Sequence, residues 1–217
     1  MLYDKLIFPK RALTVILLSM LSMGFLSVSA ARKKPVQKIK VACVGNSITY
    51  GTGIQDREHF SYPVQLQNML GDKYLVGNFG KPGATLLNHG HRPYMKQEEY
   101  RQAMAFKGDI AVIHLGINDT DPRNWPNYRD EFVKDYLSLM DSLRSSNPKV
   151  RFILANITPI AHRHPRFISG TKQWHDEIQE AIKVVARVSG AELIDFHAPL
   201  YPYPNLLPDA IHPNAEG

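Results

Sequence analysis

The sequence predicts an α/β fold, a three-layer α/β/α sandwich around a five-stranded parallel sheet. Two observations predict it. Five short apolar runs alternate with four longer stretches of helical period. Few hairpin signals join one run to the next, so the connections read as right-handed crossovers that lay helices on both faces of the sheet. Composition agrees: 44% hydrophobic and 21% charged residues exclude a disordered or collagen-like chain. The lone Cys43 excludes a disulfide scaffold or a zinc ribbon.

Residues 1–30 are set aside before the fold is read. Lys5, Lys10 and Arg11 precede an apolar run from Ala12 to Val28 that closes on Val28-Ser29-Ala30, the pattern of a secretory signal peptide cleaved after Ala30. A run of this length approaches a membrane span, so retention as an anchor is the alternative to cleavage. Cleavage predicts a secreted or periplasmic protein with no stable membrane association. Removing the leader's three Lys/Arg and one Asp lowers the net charge from +6 to +4, too mild an excess to predict a nucleic-acid partner. Residues 31–37, with Arg32-Lys33-Lys34-Pro35, read as a solvated linker, and residues 38–217 as one domain.

The expected strands are Lys38 to Val44, Tyr74 to Phe79, Ile110 to Leu115, Arg151 to Ile157 and Glu192 to Phe196. Each is a short β-branched or aromatic run. The expected helices are about Tyr62 to Leu70, Lys96 to Phe106, Tyr128 to Ser145 and Trp174 to Val188. The third is the clearest, because Phe132, Val133, Tyr136, Leu137, Met140 and Leu143 recur at helical spacing and Asn147-Pro148 stops it.

Ligands of such sheets bind beyond the carboxyl ends of the strands. The first strand is followed by Gly45-Asn46-Ser47-Ile48-Thr49, the second by Gly80-Lys81-Pro82-Gly83-Ala84, and the third by Gly116-Ile117-Asn118-Asp119. Near the chain end stands Asp209-Ala210-Ile211-His212-Pro213. A serine hydroxyl attacks a carbonyl only if a neighbouring imidazole takes its proton. His212 is the candidate base for Ser47, and Asp209, three residues upstream, can fix its tautomer. The backbone N–H groups of Ser47 and Gly83 and the side-chain amide of Asn118 are candidate donors to an oxyanion. Each piece has a bland counterpart. Ser47 could be a helix N-cap, Asn118 a turn residue, and Asp209 with His212 a surface turn. Their joint arrival at one sheet edge favours catalysis.

These four segments resemble those of the SGNH or GDSL hydrolases, whose blocks supply a serine, a glycine, an asparagine and a histidine. The resemblance runs from about residue 38 to the chain end. It implies Ser47 as nucleophile, Gly83 and Asn118 in the oxyanion hole, Asp209 and His212 in the triad, a flavodoxin-like strand order 2-1-3-4-5, and no cofactor or metal. Asn46 stands where the family name implies Asp, which predicts a retuned loop and not a loss of activity. The family also places a last helix beyond the position of Gly217, so a C-terminal truncation is expected.

Other chemistries fit less well. An α/β-hydrolase elbow needs glycine where Thr49 stands, and the Gly51-Thr52-Gly53 stretch completes neither a dinucleotide loop nor a phosphate loop. His89 with His91, and His162 with His164, could each offer two metal ligands, but no acidic or cysteine set accompanies them. His114, inside a strand, reads as a hydrogen-bonded core histidine. The loops bearing Arg92, Trp125, Arg163 and Arg166 are polar and aromatic, which suits a sugar; Trp125 itself reads as packing at a helix start, with walling of the pocket as the alternative. Their arginines suit a carboxylated one. These loops are similar to those of secreted bacterial sialate O-acetylesterases and related carbohydrate esterases. The resulting expectation is a serine esterase acting on acetylated carbohydrate. Its rivals are a lipase or thioesterase of the same fold and a noncatalytic sugar-binding module.

Overall fold

The computed structural model describes residues 37–165 and 172–217. The expected leader, the linker except its last residue, and Arg166 lie outside the described residues. Five strands, β1 (Ile39–Gly45), β2 (Tyr74–Gly80), β3 (Ile110–His114), β4 (Arg151–Asn156) and β5 (Glu192–Asp195), pair in parallel in the order β2-β1-β3-β4-β5. The helices are α1 (Ser47–Tyr50), α2 (Arg57–Phe60), α3 (Tyr62–Leu70), α4 (Glu98–Phe106), α5 (Trp125–Tyr128), α6 (Phe132–Ser146) and α7 (Lys172–Ser189).

The interior strand β1 is buried from Val41 to Gly45, as a strand covered on both sides must be. Its alternate residues sort into two cores. Ala42 and Val44 join Ala111, Ile113 and Leu154 under Ala103 of α4, Leu139 of α6 and Ile182 of α7. Val41, Cys43 and Val112 form the opposite core, covered by Tyr62, Leu66 and Leu70 of α3. An apolar groove of about 620 Å³ borders that second face, lined by Leu66, Ile153, Phe196 and Leu200 among others, but by neither Ser47 nor His212.

Helix α6 buries Phe132, Tyr136, Leu139, Met140 and Leu143, one stripe at helical spacing. It ends at Asn147, whose side-chain amide donates to the Gly108 carbonyl at 2.9 Å, with Pro148 next. Two helices begin later than the periodicity predicts. Tyr94–Lys96 forms a separate 3₁₀ turn, so α4 starts at Glu98. Tyr128 leaves the helical region at φ −132°, ψ 6°, so α6 starts at Phe132.

Strand register aims the site. Gly45 pairs with Gly80 on one side and with His114 on the other, so β1, β2 and β3 end level. The segments that follow them emerge together where the strand order reverses, the usual ligand crevice of open parallel sheets.

Candidate active site

Ser47 is the first residue of α1 and only 6% exposed. Asn46 caps the helix, its side-chain oxygen accepting the Ile48 N–H at 3.0 Å. The cap is therefore the residue before the serine. Aspartate and asparagine both make this bond, which explains physically why asparagine can stand there. Gly80 lets β2 close against α1, because a Cβ on it would lie 2.1 Å from the Tyr50 nitrogen.

The loop after β2 turns at once. Ala84 N–H donates to the Lys81 carbonyl at 3.0 Å, with Pro82 second and Gly83 third in the turn at φ +76°. Proline then a left-handed glycine is the pattern of a type II turn. Lys81 N–H donates to the Gly45 carbonyl at 2.9 Å, which ties this turn to the serine loop. Asn118 lies in the 3₁₀ turn Ile117–Thr120 after β3, and its amide nitrogen donates to the Ala84 carbonyl at 2.9 Å. The three expected oxyanion donors thus sit on loops bonded to one another.

The other half of the site comes from the chain end. Asp209 Oδ1 accepts the backbone N–H groups of Ile211 (3.0 Å) and His212 (2.7 Å), closing a tight turn. Asp209 Oδ2 meets His212 Nδ1 at 2.5 Å, and His212 Nε2 meets Ser47 Oγ at 2.7 Å. An ionised carboxylate only accepts, so Nδ1 carries the proton and Nε2 is left to accept from the serine hydroxyl. Partial burial pushes the Asp209 carboxyl up. The His212 backbone N–H, its imidazole and the Ile211 N–H outweigh that and hold the carboxyl below its ordinary value. This arrangement can deprotonate the serine as it attacks and can stabilise the imidazolium that results.

Two buried groups that the sequence reading passed over support the loops. Asp119, next to Asn118, accepts the N–H groups of Leu86 and Leu87, each at 2.9 Å, and so anchors the strand-two loop. Burial pushes its carboxyl up to about 7 despite those bonds. Asn124 donates to the Asn118 carbonyl at 2.9 Å and accepts the His91 N–H at 3.0 Å, joining the loop after β3 to the loop after β2. The Asp119 partners lie 33 and 32 residues upstream, so no local spacing announces them.

The expected sugar-binding residues divide. Arg92 lies beside the oxyanion turn, donating to the Pro82 carbonyl at 3.0 Å, and its Nη1 is 3.1 Å from where a Cβ on Gly83 would be. Of the two expectations for Trp125, packing at a helix start holds and walling a pocket does not. Trp125 is 3% exposed, meets Phe132 edge to face, and donates its indole N–H to Glu177 at 2.6 Å, so its ring faces are packed inside. The Arg163 guanidinium donates to the Pro204 and Leu207 carbonyls and braces the loop that leads to Asp209. Arg166 lies outside the described residues.

The chain is similar to several known proteins. An acetylxylan esterase of Xylanibacter ruminicola is 39% identical over 199 residues, an alignment covering 82% of this chain. The chain spans 40% of that relative's length. Among solved structures, an acetyl xylan esterase, AlAXEase, is 20% identical with a TM-score of 0.60, covering 82% of this chain and 93% of its own. A carbohydrate acetylesterase from Sinorhizobium meliloti is 20% identical with a TM-score of 0.57, covering 82% and 92% respectively. At such identities these structures speak for the fold. The model of the GDSL-like lipase/acylhydrolase family matches residues 43–217, and the chain belongs to that family.

Proposed function

We propose that the protein is a serine esterase that removes O-acetyl groups from carbohydrates, with Ser47 as nucleophile, His212 as general base and acid, and Asp209 as the residue that fixes the imidazole. The continuous chain from the Asp209 carboxylate through His212 to Ser47 Oγ carries this reading. In the first step Ser47 Oγ bonds to the acetyl carbonyl carbon while its proton passes to His212 Nε2. Negative charge then builds on the former carbonyl oxygen, to be met by the N–H groups of Ser47 and Gly83 and by the Asn118 amide. The bond to the sugar oxygen breaks as His212 returns the proton to it. A water then gives a proton to the same nitrogen and attacks the acetyl-serine, releasing acetate and restoring the hydroxyl.

The acetylxylan esterase relative supports an acetylated polysaccharide as substrate. A carboxylated sugar such as O-acetylated sialic acid is the finer alternative, supported by the Arg92 guanidinium beside the oxyanion turn. The lipase alternative would use the apolar groove, which reaches Ile48 and Pro213 beside the serine and the histidine. The leader pattern at residues 1–30 supports export to the periplasm or beyond.

Kinetics on acetylated xylan fragments, O-acetylated sialic acid, and acetyl and octanoyl aryl esters test the proposal, each run with the native protein and Ser47→Ala. Release of acetate from a sugar, lost on substitution of Ser47, is the expected result. Preference for the octanoyl ester would transfer the site to lipid chemistry. Turnover unchanged in Ser47→Ala would remove the mechanism.

A further inference from the structure

Two histidines outside this relay hold both polar groups of a single peptide residue. Thr158, the second residue after β4, is 2% exposed. Its N–H donates to His114 Nε2 at the end of β3 (3.2 Å), and its carbonyl accepts from His175 Nε2 in α7 (3.0 Å). Both imidazoles are buried, with exposures of 0% and 1%. The two bonds demand opposite tautomers: His114 must carry its proton on Nδ1, His175 on Nε2. Burial, aided by His175, pushes the His114 imidazole down to about 3, and burial lowers that of His175 too. At neutral pH, therefore, neither bond competes with an imidazolium. The preceding residue is held in the same way, with Gln179 accepting the Ile157 N–H (2.8 Å) and donating to its carbonyl (3.2 Å).

The segment so held is attached to the turn that carries Asp209 and His212. Three residues past Thr158, Ala161 N–H donates to the Ala210 carbonyl at 2.8 Å. Ala210 stands between Asp209 and Ile211, is 3% exposed, and adopts a left-handed φ of +73° that a side chain does not favour. A backbone in that region persists only when its surroundings hold it. We infer that His114 and His175 are positioning residues, whose grip on Thr158 holds Ala161 against Ala210 and thereby keeps His212 within bonding distance of Ser47. The inference rests on the esterase reading for its kinetic consequence, while its structural consequence is independent of turnover.

The test compares His175→Leu, which removes the donor, with His175→Gln, whose amide can place an N–H near the original Nε2. With a small acetyl aryl ester, kcat of the leucine variant should fall about 10- to 100-fold, as displacements of about 1 Å do in active sites. KM should stay within about twofold, and the glutamine variant should recover most of the loss. In parallel, proton NMR follows the far-downfield resonance of the His212 Nδ1–H bonded to Asp209, assigned by its absence in His212→Gln. That resonance should shift or broaden in His175→Leu and return in His175→Gln. If Ser47→Ala retains full turnover, the esterase reading fails, and the resonance alone decides this inference. A folded leucine variant with native kcat and an unmoved resonance would overturn it. Equal losses in the leucine and glutamine variants with an unmoved resonance would overturn it as well, assigning His175 to packing only. Should the leucine variant fail to fold, His175→Asn replaces it, because the shorter amide fills much of the space without reaching Thr158.

Discussion

Ser47 Oγ and His212 Nε2 stand 2.7 Å apart although 165 positions separate them in the chain. No local preference of either residue brings them together. Ser47 is fixed by the end of β1 and the Asn46 cap, and His212 by the Asp209 turn, which is braced through Ala161 and Arg163. The distance thus reports the sheet topology, since β1 must lie beside β3, and β3 beside β4, for the two loops to meet.

Replacing Asp209 by Asn should cost about 10⁴ in kcat, the size of effect expected when a triad imidazole is held in the wrong tautomer. The amide oxygen can still accept from the Ile211 and His212 N–H groups, so the turn survives. The amide nitrogen then faces Nδ1 and donates to it, which moves the imidazole proton to Nε2 and leaves Ser47 without a base. Steady-state kinetics on an acetyl aryl ester check this, with KM near native. A loss under about tenfold would show that His212 keeps its tautomer unaided.

Gly83→Ala should lower both activity and stability. A left-handed φ of +76° costs a residue with a side chain about 1–2 kcal/mol. The new Cβ would also crowd Arg92 at 3.1 Å. Relief of either strain turns the Gly83 N–H away from the oxyanion, and Asn118→Ala removes the neighbouring donor outright. Loss of one such donor lowers kcat by about 10²–10³. Thermal melts with kcat for both variants separate the effects: Gly83→Ala should lose melting temperature and rate together, Asn118→Ala mainly rate.

Much of this site was legible because its chemistry sits in short segments after apolar runs. Ser47, Gly83, Asn118, Asp209 and His212 all lie where a strand end or a turn signal can be read locally, and the alternation of elements places the first three at one edge. Trp125 could be read either as packing or as a pocket wall because exposure is not written in a residue's neighbours; its burial against Phe132 and its bond to Glu177 depend on how α5, α6 and α7 come together. Asp119, Asn124 and His175 act through backbone groups of distant segments, and a hydrogen bond to the backbone leaves no mark on the sequence of the backbone partner.

Arg163 and Arg92, similar as loop arginines, should behave differently. The Arg163 guanidinium is bonded to the Pro204 and Leu207 carbonyls, so Arg163→Ala loosens the approach to Asp209 and should lower kcat on every ester alike. Arg92→Ala leaves that loop intact. It removes one bond to the Pro82 carbonyl and should raise KM for a carboxylated sugar ester well beyond any effect on a neutral acetyl ester. The ratio of kcat/KM on the two substrates, measured for both variants, discriminates. A shift in that ratio for Arg163→Ala would move Arg163 into substrate binding.

His114 and Asp119 should give the fold opposing responses to pH. Burial holds His114 near 3 in the folded chain against 6.5 when free, so its contribution is complete above pH 6.5 and is lost as pH falls toward 3. Asp119 is the reverse: raised from 3.8 to about 7, it binds its proton more readily in the folded state, and stability falls as pH rises across that interval. Between them the two slopes oppose each other. His114→Gln keeps an acceptor for the Thr158 N–H and cannot titrate, so the His114 slope disappears while those of Asp119 and the other titrating groups are the same in both proteins. The melting temperature of this variant relative to the native protein should therefore rise steadily as pH is lowered from 6.5 to 4, where the native fold must keep an imidazole neutral that the unfolded chain protonates. Parallel melting curves over that range would mean that His114 accepts a proton in the folded protein, which its bond from the Thr158 N–H forbids.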